Sequence, residues 1–335
     1  MTPLPVVVIG ASAGGIEALM PLVAGLDPAL GAPVCVALHL SPHVPSLLPD
    51  ILGRAGPLPA TQAQDGEPAR PGHIYVAPPD HHLLLDGERL AVTRGPRENR
   101  FRPAVDALFR SAAQARGPGV IGVVLSGAMD DGASGLWTIQ RRGGVAVVQD
   151  PQDAAFDSMP RSALAQVTAD HVAPAHALGP LLSALVAARG APQEARRMTD
   201  DERARLDLEV RLARQGPASP TDVSALGPYS PFTCPECHGA MVQIEEGGAL
   251  RFRCHTGHAY SAPVLLAELS QAIEQKLYET RRVMDEGILL LGRLGQRLPP
   301  AQAQALLSQA QSVQARANIL TDLAMSHAPL AGDGP

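Results

Sequence analysis

The sequence predicts an α/β protein: a three-layer αβα sandwich on a mostly parallel, doubly wound sheet, followed by a small Cys/His unit and a helical hairpin. Three observations carry this expectation. Through residues 1–190, apolar runs of strand length alternate with helical stretches, the pattern of a parallel sheet covered on both faces. Between Gly216 and Pro231 the chain turns rich in Pro, Ser and Gly, as a linker does. Beyond it, three of the four cysteines cluster with histidines in a short segment.

The elements follow in order. Pro5–Ile9 is an apolar run suited to a strand buried on both faces, Gly10–Gly15 a turn and Ile16–Leu26 a helix. Pro33–Leu38 reads as the second buried strand and Gly72–Ala77 as another. Leu83–Leu85 and Leu90–Thr93, joined through Asp86-Gly87, form a hairpin. Pro103–Arg116 is helical, Gly119–Leu125 a strand, Gly132–Arg142 a helix and Val145–Gln149 a strand. Ser162–Ala165, Val172–Pro174 and Leu178–Ala188 close the domain. Residues 191–231 are expected to be a charged helix and a linker, with Leu206, Val210 and Leu212 in an amphipathic register. The Cys/His unit takes 232–260. Ser261 then caps a long helix carrying Leu265, Leu269, Ile273 and Leu277, and Pro299-Pro300 separates it from a second helix over Ala301–Ala324, giving a hairpin over 261–326. The hairpin is expected to pack on itself, with a signalling partner on its helices as the alternative.

Composition excludes several chemistries. A length of 335 residues suggests about two domains. Of 27 basic residues only Lys276 is a lysine, so no lysine-based P-loop, Schiff base or lysine general base operates before it. A net charge of −6 argues against a nucleic-acid partner. The Met1–Ile9 run has no basic flank and no apolar stretch approaches ~18 residues, so neither a signal peptide nor membrane insertion is expected. Four cysteines are too few for a disulfide scaffold, which points to a reducing cytoplasm, with Cys35 a core thiol.

The turn Gly10-Ala11-Ser12-Ala13-Gly14 matches G-x-S-x-G, which presents a serine hydroxyl at the carboxyl edge of a sheet. A nucleotide site is the competing reading of such a turn, but the spacing is not G-x-G-x-x-G and no acid ends the second strand. That strand ends in His39. A third apolar strand runs into Ser126-Gly127-Ala128-Met129-Asp130-Asp131-Gly132, where an aspartate either caps the next helix or orients His39. Three strands thus deliver Ser, His and Asp to one edge, in a chain order unlike that of α/β-hydrolases.

With GASAGG, VALHLSPH, APPDHHL, RGPRENRFRPAVDALF, VVLSGAMDDGASG and FDSMPRSA in this order, roughly residues 4–190 resemble the catalytic domain of CheB-type protein-glutamate methylesterases. The resemblance implies Ser12 as nucleophile, His39 as general base, Asp131 as orienting acid, and the backbone amides of Ala13 and Ala128 as oxyanion donors. It implies hydrolysis of γ-glutamyl methyl esters on methyl-accepting chemoreceptors, with release of methanol, deamidation of receptor glutamines as a second activity, and no cofactor for catalysis. The family's Gly-Met-Gly-x-Asp-Gly reads Gly127-Ala128-Met129-Asp130-Asp131-Gly132 here, which leaves Asp130 competing with Asp131. The receiver domain that precedes well-known members is not expected before this first strand. Arg100 and Arg102 either meet an acidic receptor helix or belong to a solvated face.

Cys234-Pro-Glu-Cys237 and Cys254-His-Thr-Gly-His258, sixteen residues apart, offer three thiolates and an imidazole, a tetrahedral set for structural Zn²⁺. His255 competes with His258 as the fourth ligand. Met241–Ile244 and Leu250–Arg253, turned at Gly247-Gly248, are expected to form the hairpin joining the halves. A non-catalytic scaffold, and an esterase or amidase acting on another acyl group, are the competing functions.

Overall fold

The apolar runs become strands buried on both faces. A computed structural model describes residues 5–188, 198–216, 219–328 and 330. The first residues of the opening run, the end of the first expected domain (189–190), the start of the charged stretch (191–197) and part of the expected linker (217–218) lie outside them. The chain forms two compact units, Met1–Val264 and Leu265–Pro335.

In the first unit, β1 (Val6–Ala11), β2 (Val34–Leu38), β3 (Ala60–Gln62), β4 (Ile74–Val76), β5 (His82–Asp86), β6 (Arg89–Thr93), β7 (Val120–Val124), β8 (Val145–Gln149) and β9 (His171–Ala173) alternate with helices. These are α1 (Gly15–Ala24), α2 (Leu48–Ala55), α3 (Val105–Arg116), α4 (Ala133–Arg141), α5 (Ser158–Gln166) and α6 (Ala175–Ala188). Seven strands pair in the order β3-β4-β2-β1-β7-β8-β9, every neighbour parallel. β5 and β6 form the separate antiparallel hairpin. Period-two alternation divides the core. Val7, Ile9, Val34, Val36 and Val123 face α1, α2 and α6, whereas Val6, Val8, Cys35, Ala37 and Val124 face α3, α4 and the hairpin. Burial pushes the Cys35 thiol up to about 12, as befits an inert core thiol. Strand order reverses on either side of β1, so the carboxyl ends of β1, β2 and β7 surround a topological switch point.

The charged stretch forms a helix, as expected, and the described part of the stretch expected to be a linker is structured as well. α7 (Asp200–Gln215) opens with a capping box from Thr199 and Glu202, and α8 (Pro220–Ser224) follows. Val223 and Leu226 are buried with Leu212, Val242 and Ile244. Pro, Ser and Gly here encode caps and turns around a small apolar cluster, which composition alone does not distinguish from a free linker. β10 (Tyr229–Thr233), β11 (Ala240–Glu246), β12 (Ala249–Cys254) and β13 (Ala259–Ser261) then make a four-stranded antiparallel ribbon. Its central turn runs through Gly247 (φ +61°) and Gly248 (φ +85°), a left-handed pair that glycine adopts without steric cost.

The ribbon belongs to the same compact unit as the sheet, and buried charges join the two. Arg253, fully buried, donates to Glu98, which is also bonded by Arg110. Arg251 makes a bidentate pair with Glu209 of α7 at 3.1 Å and reaches Glu246 at 2.6 Å. Burial opposes ionisation of Glu98 and Glu209, but the facing guanidiniums outweigh it and hold both well below the usual carboxylate range. Asp106, also buried, is pushed well above that range by desolvation and by its neighbour Asp131. In this cluster three arginines, Arg110, Arg251 and Arg253, face three glutamates, Glu98, Glu209 and Glu246. Glu98→Ala removes the carboxylate that Arg110 and Arg253 share, leaving both buried guanidiniums to Glu209, and is expected to cost about 3–5 kcal/mol in urea unfolding at neutral pH. A cost below about 1 kcal/mol, as for an exposed pair, would mean that these charges are solvated. Because both glutamates have lowered folded-state values, their stabilisation is present above about pH 4.3 and is lost as pH falls through those lower values.

The second unit continues α9 (Ala262–Gly295) and adds α10 (Pro300–Ser326). The helices pair through Arg281 Nε to Thr321 Oγ1 at 2.9 Å, and Ala310, Ala317 and Ala324 are buried at heptad spacing. This is the self-packed hairpin expected from the sequence. Ser261 caps α9, its Oγ accepting from the Val264 amide. Among the described residues no helix is long and apolar enough to cross a membrane.

Candidate active site

Three strand ends meet at the switch point. Ser12 follows β1, His39 follows β2, and the turn after β7 carries Asp131. Gly127 makes the approach feasible: a Cβ there would lie 2.9 Å from Ser12 Cβ and 2.0 Å from Met159 Sδ. The Ser12 amide donates to Ser126 O at 2.9 Å, and Ser126 Oγ donates to Ala13 O at 2.8 Å, so the two turns are laced together.

His39 Nδ1 lies 3.0 Å from Ser12 Oγ, and His39 Nε2 lies 2.8 Å from Asp131 Oδ2. Ser12, His39 and Asp131 therefore form one hydrogen-bonded chain, with the two ring nitrogens in the reverse of the usual serine-protease roles. The acid is Asp131. Asp130 instead accepts from Ser261 Oγ at 2.8 Å. Asp131 also accepts from the amides of Val105 (2.7 Å) and Asp106 (3.1 Å), the first turn of α3. Burial disfavours its charge, but the His39 bond and those amides outweigh burial and hold Asp131 below the usual carboxylate range. The acid thus stays ionised beside the ring. Phe101 stacks on His39, centroids 3.7 Å apart and planes 5° from parallel, fixing the imidazole plane.

No hydrogen-bond partner for the Ala13 or Ala128 amide is found among the described residues. Ala13 follows Ser12 directly, and Ala128 follows Gly127, the residue packed against Ser12. Met129, where the family motif has glycine, takes φ +67°, so the loop keeps a glycine-like backbone with a bulky residue in it. A cleft of about 530 Å³ opens on Ser12 and His39, lined also by Arg97, Arg100, Phe101 and Arg102. Arg102 is engaged within it: Nε and Nη2 hold Asp80 at 3.0 and 2.7 Å, and Nη1 donates to Gly95 O. It braces the cleft wall, and Arg97 joins Arg100 as a lining cation that motif reading did not single out.

Phe101, Asn99 and Glu98 were the functional neighbours that residue chemistry alone missed. They sit in the quoted run RGPRENRFRP, but an Asn, a Phe and a Glu between arginines carry no signal of their own.

The second cluster lies in the ribbon. Ligand atoms of Cys234, Cys237, Cys254 and His258 all fall within 4.8 Å of one another. Cys237 Sγ to Cys254 Sγ, and His258 Nδ1 to the sulfurs of Cys234 and Cys254, each measure 3.6 Å. A tetrahedral zinc with Zn–S of about 2.3 Å and Zn–N of about 2.0 Å has edges of roughly 3.5–3.8 Å, so the set fits. Glu236 Oε2 lies 3.4 Å from His258 Nε2, a carboxylate behind the ligating ring. His255, exposed and packed on Gly239, stands outside the group.

Comparison with known proteins bears on the first cluster. The CheB methylesterase family matches residues 7–182, just over half of the chain. An Anaeromyxobacter dehalogenans protein-glutamate methylesterase/protein-glutamine glutaminase is 43% identical over 169 residues, 50% of this chain and 49% of that protein. A Nocardioides protein of the same name is 40% identical over 177 residues, 52% of this chain and 48% of its own. This chain thus spans about half the length of these two relatives, whereas a Leptospira interrogans relative, 38% identical over 167 residues, is matched over 86% of its length. The Thermotoga maritima CheB methylesterase catalytic domain superposes with a TM-score of 0.52 at 31% identity, covering 54% of this chain and 98% of that one. The hydrogen-bonded Ser, His and Asp fall inside the matched segment, and the chain belongs to the CheB methylesterase family.

Proposed function

We propose that this protein is a serine esterase that hydrolyses γ-glutamyl methyl esters on chemoreceptors, releases methanol, and deamidates receptor glutamines with the same residues. The observation that carries this reading is the continuous Ser12–His39–Asp131 hydrogen-bond chain in a CheB-family domain. His39 Nδ1 takes the Ser12 proton as Oγ attacks the ester carbonyl, while Asp131 stabilises the imidazolium. The amides of Ala13 and Ala128 receive the oxyanion. The imidazolium then protonates the departing methoxide, or the amide nitrogen of a glutamine, which leaves as ammonia. Water attacks the glutamyl-serine ester, passing its proton through His39 to Ser12 and freeing the glutamate. The substrate reaches Ser12 past Arg97 and Arg100, which suit an acidic receptor helix. Chemoreceptor signalling domains place the enzyme in the cytoplasm, and the α9–α10 hairpin is the candidate seat for a signalling partner.

Incubation with a methylated receptor tests the substrate: methanol release by the wild-type protein, and none by Ser12→Ala, is expected. Turnover of a small ester without release from the receptor would favour another acyl substrate. No turnover of either would leave the scaffold reading.

The ribbon cluster is proposed to hold a structural zinc through Cys234, Cys237, Cys254 and His258, away from the chemistry. One zinc per chain by elemental analysis is expected, falling well below one in Cys237→Ser and staying at one in His255→Ala. Free reactivity of all three clustered thiols in the purified protein would refute the site.

A further inference from the structure

The ribbon does more than sit beside the catalytic domain. Ala259, the residue after the ligand His258, forms a parallel bridge with Glu98. Its amide donates to Arg97 O at 3.1 Å, and its carbonyl accepts from the Asn99 amide at 2.8 Å. Two residues on, the Ser261 amide donates to Asn99 Oδ1 at 2.9 Å, and Ser261 Oγ donates to Asp130 beside the catalytic acid. Asn99 is buried, and its Nδ2 faces Asp131 Oδ1 at 3.4 Å. Phe101, closing the same turn with Glu98, is the ring stacked on His39. Below the turn, Arg253 ties Glu98 to Gly257 O, between the ligands Cys254 and His258. Asn99 and Arg100 both hold left-handed backbone (φ +49° and +74°), which asparagine tolerates but which is uncommon for arginine, so the turn draws on its surroundings. The bonded partner here is the ribbon.

We propose that the Cys/His ribbon is a positioning element of the esterase, fixing the 97–101 turn through Ala259 and Ser261 so that Asn99 and Phe101 hold Asp131 and His39 in register. Asn99 is a positioning residue and touches no substrate. Zinc occupancy thereby sets the catalytic rate, and loss of the metal slows the enzyme without any metal at the reacting atoms. This rests on the triad and zinc readings above.

The chain carries its own reporter. Trp137 is the single tryptophan, and the ribbon turn is seated on it: a Cβ at Gly247 would lie 2.4 Å from Trp137 Nε1. Zinc is stripped from the full-length protein with a chelator, then restored. The expected result is a kcat for methanol release lower by about tenfold or more, with a similar fall in kcat for p-nitrophenyl acetate, whose small acyl group needs neither Arg97 nor Arg100. KM for the receptor rises as well, because those two arginines belong to the loosened turn. Amide exchange at 97–101 rises and Trp137 emission moves to the red, and all these changes reverse with zinc. Unchanged kcat in folded, zinc-free protein overturns the proposal, as does a protein that binds no zinc.

Where stripping unfolds the chain, zinc-loaded Asn99→Ala decides. It cuts the side-chain link from Ser261 to Asp131 and is expected to lower kcat about tenfold per folded molecule. The folded fraction is read from urea unfolding, so that a merely destabilised chain, which loses only active concentration, is told apart. Wild-type kcat in that variant overturns the proposal. An untreated protein that turns over neither methylated receptor nor p-nitrophenyl acetate defeats the esterase reading instead, and exchange at 97–101 with Trp137 emission still decides the coupling.

Discussion

Ser12→Ala is expected to lower kcat for methanol release from methylated receptor by on the order of 10⁶-fold, the scale seen when a serine nucleophile is removed from a working triad. The change deletes one atom from an otherwise retained turn. The Ser12 amide keeps its bond to Ser126 O, and the close contact of Gly127 is with Ser12 Cβ, which alanine preserves. Stability and KM should therefore stay near wild type, so the loss reads as chemistry. Ser126 provides the control within the same lacing. Its Oγ bonds Ala13 O and accepts from the Phe156 amide, with no reach to His39, so Ser126→Ala should destabilise the turn yet leave a functioning nucleophile. Activity of Ser12→Ala above about one hundredth of wild type would defeat the assignment, because no other hydroxyl is bonded to His39 among the described residues.

The parts of this site legible in the sequence are those whose chemistry and position coincide. Ser12 in a glycine turn and His39 at a strand end announce themselves, because strands buried on both faces leave only their carboxyl ends for polar function. Asp131 was legible only to within one residue. Neighbouring carboxylates look alike in sequence, and their roles separate only when α3 aims its first amides at one and Ser261 meets the other. Arg102 shows the opposite limit: a cation near the site looks like a substrate contact until its partner, Asp80, appears.

The second half of the chain was read less well, for a related reason. Cysteine spacing points to the four clustered side chains, and the apolar segments on either side of Gly247-Gly248 to the hairpin between them, both local features. What the ribbon packs against is non-local. Arg253 and Glu98 are far apart in sequence, and nothing in either segment marks them as a buried pair. The Pro-rich stretch was taken for a linker because turn residues dominate it, yet Val223 and Leu226 suffice to anchor it. The short α2 and β3 were also missed, their few apolar residues lying in a stretch full of prolines and polar side chains.

Asp131→Asn is expected to lower kcat by about 10⁴-fold with the fold intact. The carboxylate now accepts from His39 Nε2 and from the Val105 and Asp106 amides. The Val105 amide shares Oδ2 with His39 Nε2, whereas the Asp106 amide meets Oδ1. An asparagine has one acceptor oxygen for these donors and no charge. Whichever way it turns, its NH₂ opposes a fixed donor, and the imidazolium formed when Nδ1 takes the Ser12 proton loses the carboxylate that stabilises it. Every heavy atom can stay in place while general-base catalysis is lost. The loss corresponds to about 5.5 kcal/mol of transition-state stabilisation and should appear in kcat with KM little changed. Asp130→Asn discriminates between the adjacent acids. It keeps an acceptor oxygen for Ser261 and has no bond to His39, so it should retain activity within about tenfold of wild type. Were Asp130→Asn the more damaging of the two, the orienting acid would have to be reassigned, and with it the role given to the first turn of α3.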